Sequence, residues 1–129
     1  MSIKALLTRI LQAIKVDYIV EEGTSGNWTY RKWNSGIAEC WGRTEQMTKS
    51  FTTALGAGYR TDKFTANYPS GLFVTPPTTN LTMHDGGAIL GWVSTSTNGI
   101  SAVEGYPSSL IRVENKNIYI NINAIGRWK

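Results

Sequence analysis

Between Asn117 and Ile125 the chain alternates: Ile118, Ile120 and Ile122 fall on one side of an extended backbone, and Tyr119, Asn121 and Asn123 on the other. This period of two marks a strand with one buried face and one face in water. Such a strand cannot stand alone, because its apolar face needs a second layer to cover it. The chain offers further strands. From Asn27 onward, runs rich in Thr, Val, Ile, Tyr and Trp are punctuated by Gly, Pro, Asn and Ser, the pattern of a sandwich or barrel of short strands. Strands are predicted at Trp28–Trp33, Ile37–Arg43, Gln46–Thr52, Gly71–Thr75, Asn80–His84, Ala88–Ser94, Ser109–Glu114 and Asn117–Ile125. No second helix is expected among them.

The first two strands frame Asn34-Ser35-Gly36, a short glycine-bearing hairpin connection. The last two frame Asn115-Lys116, which reads as a tight turn. The longest stretch without a predicted strand, Thr53 to Ser70, carries Gly56, Gly58, Tyr59, Arg60, Asp62, Lys63, Tyr68 and Pro69 and reads as a long polar loop, the usual place for binding on a β scaffold.

Residues Ser2 to Val16 follow a different rule. Ile3, Leu7, Ile10 and Ile14 are spaced by four, three and four, with Lys4, Arg9, Gln12 and Lys15 elsewhere, so the spacing predicts a helix with a heptad seam. With Leu7 and Ile14 at a and Ile3 and Ile10 at d, the seam favours trimers or tetramers over dimers. An isolated helix of this length is marginal in water and needs a partner for its apolar face. Sister chains and the chain's own β domain are the two candidates, and a basic targeting presequence is a third reading of the same residues. Residues 1–17 are taken as the oligomerising helix, 18–26, with Glu21-Glu22-Gly23-Thr24-Ser25-Gly26, as a polar linker, and 27–129 as the head domain.

Composition narrows the function. A chain of 129 residues can enclose a core without disulfide or metal staples. The net charge of +4 comes from Lys and Arg scattered singly or in pairs. There is no basic stripe, so nucleic acid is not the expected partner. Lys4, Arg9 and Lys15 interrupt the first sixteen residues and no later apolar run approaches a membrane span, so neither a signal peptide nor membrane insertion is expected. Synthesis in the cytoplasm without a signal peptide is the expectation.

Catalytic chemistry is poorly provided for. The one cysteine, Cys40, sits in an apolar strand beside Trp41, where a free thiol behaves as a small hydrophobe. A dyad with His84, oriented by Asp85, would need Cys40 accessible and electropositive. His84-Asp85-Gly86-Gly87 reads instead as a strand end entering a turn. Gly56-Ala57-Gly58 lacks the Gly-Lys-Ser/Thr of a phosphate loop, and Glu21-Glu22 belong to the polar linker and read as solvated, whereas glycoside hydrolysis needs two carboxylates fixed across a cleft. No enzyme, cofactor or metal is therefore expected. The aromatic complement, five Trp and six Tyr, is more informative, since indole and phenol rings stack on sugar C–H faces while neighbouring amides and charges bond hydroxyls. Trp28, Trp33, Trp41 and Trp92 lie in predicted strands, and at least half are assigned to the core. Tyr59, Tyr68 and Tyr106, with Arg60, Asp62 and Lys63, are the candidate binding residues.

The segment Trp28-Thr29-Tyr30-Arg31-Lys32-Trp33-Asn34-Ser35-Gly36-Ile37-Ala38-Glu39-Cys40-Trp41-Gly42 resembles one that recurs in tail proteins of phages and prophages of Gram-positive bacteria. It also resembles the opening of the C-terminal head domain of phage tail fibres: an aromatic strand, a Ser-Gly hairpin turn and a second strand closing in Trp-Gly. The close match covers about fifteen residues, with looser agreement at Tyr68-Pro69, at Thr75-Pro76-Pro77 and to Lys129. The resemblance implies a trimeric, jelly-roll-like antiparallel β-sandwich at the tip of a virion tail fibre or baseplate, preceded by a trimerising helix and used for host attachment. It implies as partners other tail proteins and a host cell-surface glycan or teichoic acid. A structural connector without a receptor, or a fragment of a cell-wall hydrolase, are the alternatives. Such heads usually end much longer chains.

Overall fold

The computed structural model describes residues 2–13, 16–87, 89 and 91–129. Helix α1 spans Ile3–Ala13, and the strands are β1 (Ile19–Ser25), β2 (Trp28–Trp33), β3 (Ile37–Arg43), β4 (Met47–Phe51), β5 (Thr53–Leu55), β6 (Gly58–Arg60), β7 (Phe64–Asn67), β8 (Thr78–His84), β9 (Trp92–Asn98), β10 (Ala102–Ser109) and β11 (Val113–Arg127). All the strand pairings are antiparallel, and they make two sheets packed as a sandwich.

The alternating isoleucine run is the centre of the larger sheet. β11 pairs with β4 along its first part and with β3 along its second, and β8 pairs with it as well; β3 carries the β2–β1 meander outward. β10 plays the same part in the smaller sheet, pairing with β6, β7 and β9, while β5 adds to β6. Between the sheets lie Ile118, Ile120, Ile122 and Ala124 of β11, Ala38 and Cys40 of β3, Phe51, Phe64 and Val103, all at most 3% exposed. The odd-numbered residues of β11 from Tyr119 onward face away from this core, as the alternation requires.

Several expectations change. Residues 19–25, taken as a linker, form β1: Glu22 pairs with Arg31 and Glu21 with Lys32 across the ladder, each reinforced by a side-chain ion pair (3.2 and 3.4 Å). The stretch Thr53 to Ser70 is no long loop, since it contains β5, β6 and β7. Gly71–Thr75 is not a strand, although Leu72 and Phe73 are buried at 2% and 5%. Asn115 does not make a hairpin turn. It takes a left-handed backbone (φ 52°) inside β11, where the pairing with β4 slips between Val113 and Lys116 as at a bulge; the break between strands comes earlier, at residues 110–112, where the chain passes from β10 of one sheet to β11 of the other. Ala88–Ser94 is displaced: the strand is Trp92–Asn98, and Ala88 lies outside the described residues.

Ser2 caps α1, its hydroxyl accepting from the Ala5 amide at 3.0 Å. Along the helix Ile3, Leu6, Leu7 and Ile10 are 86%, 51%, 54% and 49% exposed, and no strand packs against it. Among the described residues this apolar face is left in water by the chain's own β domain. Ile14 lies outside the described residues. The helix exit is nevertheless fastened to the head: the Asp17 carboxylate accepts from the Ser35 amide (3.0 Å) and the Ser35 hydroxyl (2.6 Å) in the β2–β3 turn.

Candidate functional site

The smaller sheet turns one face to the core and one to solvent, and its alternation decides the fate of each candidate. Ser108 of β10 pairs with Arg60 on one side and Trp92 on the other. Tyr106 and Glu104 precede Ser108 at two-residue steps and share its face. Arg60 lies over the Tyr106 ring, 4.4 Å from guanidinium carbon to centroid, a stack worth about 0.5–1 kcal/mol at a surface. Lys63 meets Glu104 at 2.7 Å, and that carboxylate raises the ammonium pKa. Arg60, Lys63 and Tyr106, predicted from separate stretches, are thus brought together with Glu104 on one solvent-facing surface.

Trp92 joins them. It is 38% exposed, and its ring tip lies 3.4 Å from where a Cβ on Gly58 would stand, so the glycine gives the indole a flat bed. The sequence reading left Trp92 among strand tryptophans of which half were assigned to the core. The available signal was Ser94, two residues on, which marks that side of β9 as polar. The assembled face carries two aromatic rings, two cations and one carboxylate.

The other candidates lie elsewhere. Tyr59 alternates with Arg60, turns inward and packs on the core. Asp62 pairs with Lys49 of β4 at 2.9 Å. Tyr68 is corrected outright: it is 5% exposed, with its ring against Phe73 (5.2 Å) and Trp28 (5.7 Å). Its hydroxyl bonds Thr79 of β8 and Asn98 of β9, both at 2.6 Å. It bolts the two sheets together and offers no surface to a ligand.

Cys40 and His84 do not meet. Cys40 faces the core opposite Ala124, whereas His84 pairs with Tyr119 on the outer face, five positions along β11 or about 16 Å. The Cys40 thiol is 1% exposed, and burial pushes its pKa up to about 12, the reverse of an activated nucleophile. Among the described residues no three His, Cys, Asp or Glu side chains cluster as metal ligands, and no helix is long and apolar enough to cross a membrane.

The Trp28–Gly42 segment is architectural. β2 and β3 form the expected hairpin, and the Trp128 amide donates to Gly36 O at 2.9 Å. Gly42 is required by close approach, because a Cβ there would strike the Asn27 carbonyl. None of the five tryptophans is fully buried. Trp28, Trp33 and Trp128 each donate an indole hydrogen bond, to Asn67 O, Glu39 and Trp33 O.

The fold has solved counterparts. An N-truncated R1-type pyocin tail fibre superposes with a TM-score of 0.65 at 16% identity, covering 92% of this chain and 94% of that one. The C-terminal part of the P. aeruginosa R1 pyocin fibre matches with a TM-score of 0.65 at 15% identity, over 90% of this chain and 30% of that one. No family model and no curated protein sequence matches. The chain is therefore similar in fold to pyocin tail fibres.

Proposed function

We propose that this chain is the tip of a tail fibre, in a phage or a pyocin-like particle, and attaches as a homotrimer to a bacterial surface polymer. The carrying observation is the match to a tail-fibre fold over 92% of this chain and 94% of that one. The host enters only as a bacterium: the solved counterparts include a P. aeruginosa particle, and nothing in them supports a Gram-positive setting. The reading is one of binding rather than catalysis.

Two features of the chain fit this use. Three copies of α1 can cover the apolar side chains of Ile3, Leu7 and Ile10 that one copy leaves in water, with Ile14 next in the heptad spacing of the sequence. Three heads then present three copies of the Arg60, Tyr106, Trp92 and Lys63 face. Linked weak sites gain about 10²–10⁴ in avidity when geometry permits simultaneous contact. A cationic aromatic surface suits a glycan or a teichoic-acid-like polymer carrying phosphate, with the rings against sugar C–H and the cations near anions.

The test uses labelled full-length protein and whole cells of candidate hosts. Tyr106→Ala and Arg60→Ala should each weaken binding at least about tenfold through lost avidity, with unchanged thermal stability. Binding by none of the candidate hosts would overturn attachment in favour of a structural connector of the tail. Lysis of cells or of purified wall by the intact protein would favour the hydrolase reading. In solution the mass should be about three times 14.3 kDa, and a monomeric mass would remove the trimer.

A further inference from the structure

An open cleft of about 410 Å³ lies between the two sheets, where the β1–β2 turn and the end of β3 face β7. It is on the opposite side of β7 from β10 and does not include Arg60, Tyr106 or Trp92. Its size falls within the ~300–1,000 Å³ of small-molecule sites. Apolar atoms of Trp28, Met47, Ala66 and Ile122 floor it, and Asn27, Glu45, Thr65 and Asn67 supply polar groups around them.

The charge of the cleft selects among ligands. Glu45 and Arg43 are the only charged residues in its lining. Arg43 belongs to the other face of the larger sheet: its Nε donates to Asn121 Oδ1 at 2.8 Å, and its guanidinium lies 5.2 Å from the Tyr119 ring centroid. Glu45 remains. Asn27 Nδ2 holds it at 3.0 Å, using one of the roughly four acceptor sites of a carboxylate. The Trp28 indole N–H is spent on Asn67 O at 2.7 Å, so the ring is fixed and offers a ligand only its carbon surface.

We infer that this cleft is a second binding site, for one uncharged sugar ring, seated with its C–H face toward Trp28 and its hydroxyls toward Glu45, Asn27, Thr65 and Asn67. The carboxylate accepts from two adjacent hydroxyls and repels an anionic sugar. The amides supply both donors and acceptors, which hydroxyl groups need. Gly42 is part of the design, since any larger residue would displace the Asn27 backbone from the cleft wall. The cleft deepens the attachment reading and rests on it only for the origin of the sugar.

The experiment is an amide and indole NMR titration of the purified protein with neutral methyl pyranosides (glucose, galactose, mannose, N-acetylglucosamine and rhamnose), taken to tens of millimolar, and with glucuronate and galacturonate. At least one neutral glycoside should shift the Asn27 and Asn67 side-chain amides and the Trp28 indole N–H. Glu45→Ala and Asn27→Ala, both at exposed positions, should weaken it about tenfold, the worth of one hydrogen bond to a charged group. Arg60→Ala should leave it unchanged, and the uronates should bind less tightly. The proposal fails if no neutral glycoside moves these signals, if a uronate binds as tightly, or if Glu45→Ala has no effect in a protein with a native-like spectrum. Sugar binding in the cleft without attachment to any cell would sink the attachment reading alone, and attachment with a silent cleft would sink only this one.

Discussion

Tyr68→Phe removes a single oxygen, and the structure says what that oxygen holds. It donates to Asn98 Oδ1 and so accepts from Thr79 Oγ1, each at 2.6 Å, while Asn98 Nδ2 donates onward to Pro77 O (2.5 Å) and Thr79 Oγ1 (3.2 Å). Thr79 belongs to the larger sheet and Asn98 to the smaller, so the substitution cuts a bolt between layers. A typical hydrogen bond contributes about 1 kcal/mol net, and a partner left unsatisfied out of water costs about 1–3 kcal/mol. The expected loss is about 2–3 kcal/mol. With about 4 °C per kcal/mol for a domain of this size, the midpoint of thermal unfolding should fall by about 8–12 °C. Tyr106→Phe is the control: it keeps the ring under Arg60 and should stay within about 0.5 kcal/mol. Urea and thermal unfolding followed by circular dichroism, at one fixed protomer concentration, measure both. A shift of under about 0.5 kcal/mol for Tyr68→Phe would refute the bolt. Cell binding of this variant, measured below its unfolding midpoint, should match the parent, whereas a residue touching the polymer would lose it.

Three further outcomes follow from the packing. Gly42→Ala drives a methyl group into the Asn27 carbonyl and should cost about 1–3 kcal/mol as an overpacking change, read as a lower urea midpoint; an unchanged midpoint would mean that the β1–β2 turn moves aside freely. The bonds from Ser35 hold the Asp17 carboxyl below its ordinary pKa of 3.8. The folded state thus favours the ionised form, and its stabilisation is present above the unfolded-state pKa and lost as pH falls through the folded one. Urea midpoints of the parent and Asp17→Asn should differ at neutral pH and converge below the carboxylate range; curves that stay parallel would count against the Ser35 anchor. Cys40, buried with its pKa near 12, should react with a thiol reagent only at the rate of global unfolding, and rapid labelling of the native protein would contradict the burial.

The fold was legible where one face of a strand is apolar. β2 and β3 were read to the residue, and the core face of β11 was plain from its three isoleucines. β1 was missed because it lies at the sheet margin with most residues in water, so its polar run carries no alternation and is held by pairing and ion pairs. β5, β6 and β7 span three or four residues each, too few to show a period. Leu72 and Phe73 gave the opposite error: consecutive buried residues look like a strand, but they plug the sandwich from a loop. The break between β10 and β11 at residues 110–112 hid behind Leu110 and Ile111, which are apolar yet about half exposed. Of the candidate site, the residue types were readable at Arg60, Lys63 and Tyr106. Their convergence was not, because it depends on β6 and β10 pairing across almost fifty residues.

The position of β11 in the chain carries a consequence for synthesis. Arg43 and Asn121 are sheet neighbours 78 residues apart, and translation at about 5–20 residues per second separates them by about 4–16 s. Through that interval the sequence of β3 has been made without the strand that pairs with its outer edge, and an unpaired edge is a template for the wrong partner. Release of residues 113–127 joins β3, β4 and β8 through β11 and completes the larger sheet, so closure of the sandwich comes late. A chain arrested before residue 121 should therefore be recovered as aggregate or degraded peptide rather than as a shortened head.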